Sequence, residues 1–164
     1  AEQALSIRPL DGGDDDPPLE NVDRERREED AEAHREIAQR LQQRGLFDWA
    51  EREYRTIIEN LPIDSRAAVS TRVDAATMYG EMLRHADVVA TLKPLLDRLT
   101  KDDQAKDRFL RIYRDLGWLR SEVEYHSALS ELANGNSPAI RERLLRAYRS
   151  NPINIDILIA MYRL

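Results

Sequence analysis

Cysteine is absent from the 164 residues. Its absence excludes disulfides, thiolate metal sites and cysteine nucleophiles, without fixing a compartment, because exported and cytosolic chains alike can lack it. Glycine (6) and proline (7) are sparse, which favours long regular elements over a loop-rich fold. Aromatic residues make up only 6%. Apart from Ile153, Ile155, Ile157 and Ile159 near the C-terminus, Val and Ile do not fall into alternating runs, so no sheet is expected. No stretch approaches the ~18–20 consecutive apolar residues of a membrane span, and no signal peptide stands at the start, so no membrane insertion is expected. The first residue is Ala1 rather than Met; the expectation is a start processed or cut from something longer, where a signal sequence could have been lost.

The net charge of −6 is unevenly placed. Residues 11–32 hold 11 acidic and 3 basic side chains, whereas residues 33–164 hold 19 acidic and 21 basic. Acidity therefore belongs to the N-terminal segment, read as a solvated lead-in or as an interaction tail for a basic surface. No basic stripe suited to neutralising phosphates is present, and nucleic acid is not an expected partner.

Signals of catalysis are missing too. His34, His85 and His126 do not form the two-histidine, four-apart spacing of a helical zinc site. There is no glycine-rich phosphate loop and no Gly-x-Ser-x-Gly elbow. Asp102, Asp103 and Asp107 lack the glycine and terminal glutamate of a calcium loop. The chain is expected not to be an enzyme and to need no cofactor or metal. His34 and His126 are read as packing or surface residues.

What is present is helical periodicity. Residues 1–18, with Asp11-Gly12-Gly13-Asp14-Asp15-Asp16-Pro17-Pro18, read as an irregular lead-in, and 19–30 as a polar extension of the helix that follows. From Ala31, the spacing of Ile37, Ala38 and Leu41 predicts a helix stopped by Gly45. Asp48 is expected to cap a second, with Ala50, Tyr54, Ile57 and Ile58 inward and Leu61-Pro62 ending it. A third spans roughly 65–84, with Ala68, Val69, Val73, Ala76, Tyr79, Met82 and Leu83 as candidate inner residues. A fourth, capped by Asp87, runs to about Leu99 with a kink or delay at Pro94. A fifth covers 104–116 and is closed by Gly117. A sixth covers 119–133, a seventh begins at Ser137-Pro138 and ends at Asn151-Pro152, and 153–164 reads as an eighth.

Residues 31–64 and 121–154 are two 34-residue windows that align without a gap, placing Gly45 on Gly135 and Pro62 on Pro152. The first window carries Gly45 at the inter-helix turn, then Ala50, Tyr54 and Pro62, with Ile37-Ala38 in helix A. This pattern resembles the tetratricopeptide repeat family, whose consensus is 34 residues long. His34 stands where that family often has Trp, and the last window has Ile140 and Ala128 at the family's small-residue and glycine positions. The middle, 65–99, is a degenerate pair, and 104–116 an extra helix. A second frame starting at Asp103, using Phe109, Tyr113 and Gly117, competes for helix 119–133. The 121–154 frame is preferred because its Gly-to-Pro spacing repeats the first.

The resemblance implies an all-α fold, a tetratricopeptide-like superhelix of αα-hairpins over 19–164 with about eight helices. It also implies a concave groove for a protein or peptide partner, lined by the first helix of each pair. In the two windows that face includes Arg35, Gln39 and Gln42, and Tyr125 and Leu129. Arg35 and Gln39 take the places where carboxylate-clamping members use Lys and Asn, a partial match. The C-terminal stretch is apolar on nearly every side, with Ile153, Ile155, Ile157, Leu158, Ile159, Met161 and Leu164. Such an end calls for a cover: further repeats, another subunit, or the N-terminal lead-in. In the alternative reading the chain is a structural or self-associating module, with Ile157 and Met161 as contacts and a homodimer as one product. Arg141, Arg143, Arg146 and Arg149 could meet the acidic lead-in.

Overall fold

The computed structural model describes residues 19–164 except 114, 134 and 136, with side chains from residue 25 on; the lead-in of residues 1–18 lies outside the described residues. Eight α-helices form the described part, and no strand occurs there: α1 (Leu19–Gln43), α2 (Phe47–Asn60), α3 (Arg66–Glu81), α4 (His85–Lys101), α5 (Asp103–Tyr113), α6 (Leu116–Leu132), α7 (Pro138–Ser150) and α8 (Ile155–Tyr162). The fold is all-α, as the periodicity predicts.

The polar stretch 19–30 does extend the helix that follows, giving one helix Leu19–Gln43. Several boundaries differ from the sequence-based expectation. Asp48 and Asp87 do not cap; they sit in the first turns of α2 and α4, where a carboxylate faces the positive end of the helix dipole. The third helix is capped by Ser65, whose Oγ accepts the Ala68 N–H at 3.3 Å. From α1, Glu28 Oε2 accepts the Ala67 N–H at 2.9 Å, so two of the orphan amides of α3 are satisfied. Pro94 lies inside α4 without ending it; its ring points outward, while Leu92, Leu95 and Leu99 hold the helix to the core.

The first two helix pairs turn in the same way. At the end of α1, Gly45 has φ 74°, its N–H donates to Gln42 O at 2.9 Å, and the Leu46 N–H donates to Leu41 O at 2.9 Å. At the end of α3, Leu83 has φ 58°, its N–H donates to Gly80 O at 3.0 Å, and the Arg84 N–H donates to Tyr79 O at 2.8 Å. Both are Schellman closures, with a left-handed residue just beyond the helix. A third pair, α6–α7, turns at Gly135 with φ 117°.

Counted from Gly45, Leu83 and Gly135, the buried positions coincide. Seven residues before the turn stand Ala38, Ala76 and Ala128, at 0, 5 and 0% exposure. Five, nine and twelve after it stand Ala50, Tyr54 and Ile57; Val88, Leu92 and Leu95; Ile140, Leu144 and Ala147, none above 3% exposed. The small residue lets the two helices of a pair approach, and the later three form one helical face that covers the first helix. The middle pair is therefore in register with its neighbours, offset by 38 positions rather than 34.

Helices pack chiefly on their neighbours in the chain, α1 on α2, α2 on α3, α3 on α4, α6 on α7 and α7 on α8. The fifth helix is the exception. It packs on α4 and α3, and α6 also lies on α4. Phe109 of α5 is buried and stacks on Tyr113, which stacks on Trp118 of α6, with ring centroids 5.7 and 6.5 Å apart.

Two cores result. The larger joins α1–α6 through residues such as Tyr54, Met78, Leu92, Phe109 and Leu119. The smaller joins the C-terminal half of α6 to α7 and α8 through Ala128, Ile140, Leu144, Ala147 and Ile157. No helix among the described residues is long and apolar enough to cross a membrane.

Candidate functional site

The α3–α4 turn, the inner face of α6 and the start of α8 enclose a trough. Two adjoining hollows of about 400 and 430 Å3 share Leu83, His85, Tyr125 and Asp156. The first reaches toward Thr77 and Gly80 of α3; the second runs on past Leu129, Leu132 and Ile159. The Schellman turn places Leu83 at its rim. Expected as an inner residue, Leu83 is 75% exposed, because the left-handed turn directs its side chain away from the core.

One end of the trough is polar. His85 Nδ1 and His126 Nδ1 are 3.0 Å apart, so one ring donates and the other accepts. His126 is buried and also places Nε2 3.4 Å from Glu122 Oε2, one turn back on α6. Gly80 lies against this ring; a Cβ there would stand 3.6 Å from it, an ordinary contact distance. Burial and the neighbouring His126 push the His85 pKa down. Tyr125 packs edge-on against His126, with centroids 5.0 Å apart. Burial, Asp156 and Glu122 push its phenol pKa up. Among the described residues, no group of three or more His, Asp or Glu side chains is arranged to hold a metal ion.

Tyr125 and Leu129 of the sequence-predicted face do line this trough. Arg35, Gln39 and Gln42 lie elsewhere and are engaged within the chain. Asp74 of α3 accepts from Arg35 Nε at 2.6 Å and from Gln39 Nε2 at 2.8 Å. Arg35 also reaches Glu32 at 2.9 Å. Gln42 accepts the Tyr54 hydroxyl at 3.0 Å and donates to Glu81 at 3.3 Å. Tyr113 of α5 feels the charges of Asp74 and Arg35. These three residues tie α1 to α2 and α3.

The two self-association candidates are placed differently from expectation. Ile157 is 0% exposed and belongs to the smaller core, and Met161 packs against it. The outward apolar residues of α8 are their neighbours, Ile155, Leu158, Ile159 and Tyr162. Of the α7 arginines, Arg143 pairs with Glu124 and Glu131 at 3.2 and 2.9 Å, and Arg146 with Glu124 at 3.1 Å. These partners are on α6; the expected pairing with the acidic lead-in falls on residues 1–18, outside the described residues. His34 meets Glu53 at 2.7 Å. The contact between His85 and His126, 41 residues apart, had no signal in the sequence; only the stacking of α4 on α6 brings them together.

No known protein family, curated protein or solved structure matches the chain.

Proposed function

We propose that this chain is a helical-repeat binding module of the tetratricopeptide-like kind, holding a protein or peptide segment in the trough between the α3–α4 turn, α6 and α8. The trough itself carries the reading: a continuous hollow with an exposed leucine at its rim, Tyr125 and Leu129 on its wall, and polar groups gathered at one end. That combination of apolar wall and few polar groups is what fixes and orients a ligand. Support for the repeat architecture comes from the register shared by three helix pairs and from packing that mostly follows chain order. Binding rather than catalysis is the function proposed, on the analogy of how such stacks are used.

The test is selection of a random peptide library on the immobilised chain, followed by challenge with two variants. Leu83→Asp keeps a residue that tolerates the left-handed turn and puts a charge at the rim; Tyr125→Ala removes part of the wall. Selected peptides should lose at least about tenfold in affinity, roughly 1.4 kcal/mol, for each. Failure to enrich any peptide, or enriched peptides indifferent to both changes, would defeat the proposal.

A further inference from the structure

The eighth helix, IDILIAMY, is apolar on every side except at Asp156. A helix apolar all round belongs in an interior, yet among the described residues only one side of α8 is covered. Ile157 is fully buried, with Ala160, Met161 and Leu164 packed beside it. On the opposite side Ile155 is 67% exposed, Leu158 and Ile159 43% each, and Tyr162 92%, while Ile153 just ahead of the helix is 88% exposed.

The first three pairs show what covers a helix of this kind. Each second helix presents apolar residues at i, i+4 and i+7, running antiparallel to its partner: Ala50, Tyr54, Ile57; Val88, Leu92, Leu95; Ile140, Leu144, Ala147. The free face of α8 carries the same spacing in Ile155, Ile159 and Tyr162. The helix is thus complementary to a second copy of itself. A two-fold axis between Leu158 and Ile159 would set Ile155 against the other copy's Tyr162, and Tyr162 against its Ile155. This self-matching of one patch is what an isologous interface requires.

The available area fits a modest dimer. At their observed exposures the four residues of the stripe, with Ile153 just ahead of them, offer roughly 600 Å2 per copy. A standard specific interface uses about 800 Å2 per partner. The shortfall leaves room for the side chains that flank the stripe and points to an association that reverses on dilution.

We infer that α8 is a homodimerisation helix, pairing antiparallel with α8 of a second copy through Ile155, Leu158, Ile159 and Tyr162. Ile159 also lines the trough, so the two readings share that residue; Ile155 and Tyr162 lie outside it, and substitutions there test the dimer alone.

Light scattering of the whole chain over a hundredfold concentration range tests it. The mass should rise from 19.0 kDa toward twice that value as the concentration increases. The double variant Ile155→Glu/Tyr162→Glu should stay monomeric at every concentration, with unchanged helical circular dichroism and melting. Both positions face solvent in the single copy, so the fold does not depend on them. A monomer throughout in the parent chain would overturn the proposal. So would a dimer that survives the double substitution, since its interface would lie elsewhere.

Discussion

Leu83 holds a left-handed backbone at φ 58° where the equivalent turn residue of the first pair is Gly45. For a residue with a Cβ that conformation costs about 1–2 kcal/mol, and the exposed side chain recovers little by burial. Leu83→Gly removes the strain but adds about 0.5–1 kcal/mol of chain entropy to lose on folding. A net gain of roughly 0.5–1 kcal/mol is expected, read as a higher urea midpoint at unchanged slope. A lower midpoint would mean the Leu83 side chain contributes more than its backbone costs. Strain kept at the rim of a trough is the kind tolerated for binding. His85, two residues on, makes the fold sensitive to acid. Its folded pKa lies below the ordinary value of about 6.5. The unfolded chain therefore binds more protons, and the stability associated with neutral His85 is lost as pH falls below that value toward the folded pKa. The charged and titratable groups around it are His126 and Glu122 on α6, Asp156 on α8, and Arg84, whose guanidinium is bonded to Glu51 and Asp87. Glu51, held below its usual range by Arg84, titrates at lower pH and does not mask the effect. The melting temperature should fall between pH 7.5 and pH 5.5, and His85→Gln should flatten that slope. An identical slope in the variant would place the sensitivity in other groups.

At the scale of elements, the helices were legible, and so were some of their ends: Gly45 closes α1, Leu61-Pro62 follows α2, and Ser137-Pro138 opens α7. Spacing of Ala38, Tyr54, Leu92, Phe109 and Leu144 marks faces that the structure buries, because burial of a stripe is what selects those residues. Turns were harder. The middle pair escaped the 34-residue comparison because its turn residue is leucine and its offset is 38, so neither the glycine nor the period pointed to it. Gly117 misled in the opposite direction. Read as the stop of α5, it lies inside the first turn of α6. A Cβ there would come 2.5 Å from the Ser150 carbonyl oxygen at the end of α7 and 3.0 Å from Asp115 Oδ1, the side chain that caps α6 by accepting the Trp118 N–H. That glycine serves a close approach between chain segments, which no local pattern reveals. Gly117→Ala should therefore destabilise. Alanine's better helix propensity offers about 1 kcal/mol, but forcing α6 away from a backbone atom of α7 costs about 1–3 kcal/mol. A net loss of up to roughly 2 kcal/mol by chemical denaturation is expected, and a net gain would show that the two ends can separate freely.

At the scale of the whole molecule, α6 belongs to two cores at once. Leu119 and Val123 lie in the larger one, while Ala128 lies in the smaller with Ile140, Leu144, Ala147 and Ile157. Polar ties between α6 and α7 come from Glu124 and Glu131 to Arg143 and Arg146; those charges are part-exposed and contribute little alone. Cohesion of the C-terminal unit therefore rests on a small apolar cluster, while α1–α4 share a broader one braced by Arg35–Asp74 and Arg84–Glu51. Packing that is mainly between chain neighbours lets such units open in sequence rather than all at once. Leu144→Ala removes a fully buried side chain from the smaller core and should cost about 2–5 kcal/mol there. Hydrogen exchange should then accelerate at the amides of α7 and α8 and of the C-terminal half of α6, while α2, α3 and α4 keep their protection. If protection falls equally everywhere, the two cores unfold as a single cooperative unit. The trough lies across their junction, with Leu83 and His85 on one side and Leu129 and Ile159 on the other. In a molecule that opens in two stages, a bound segment spanning the junction raises the protection of α7 and α8 first, so exchange in the presence of a selected peptide reports on the proposed site and on the order of unfolding together.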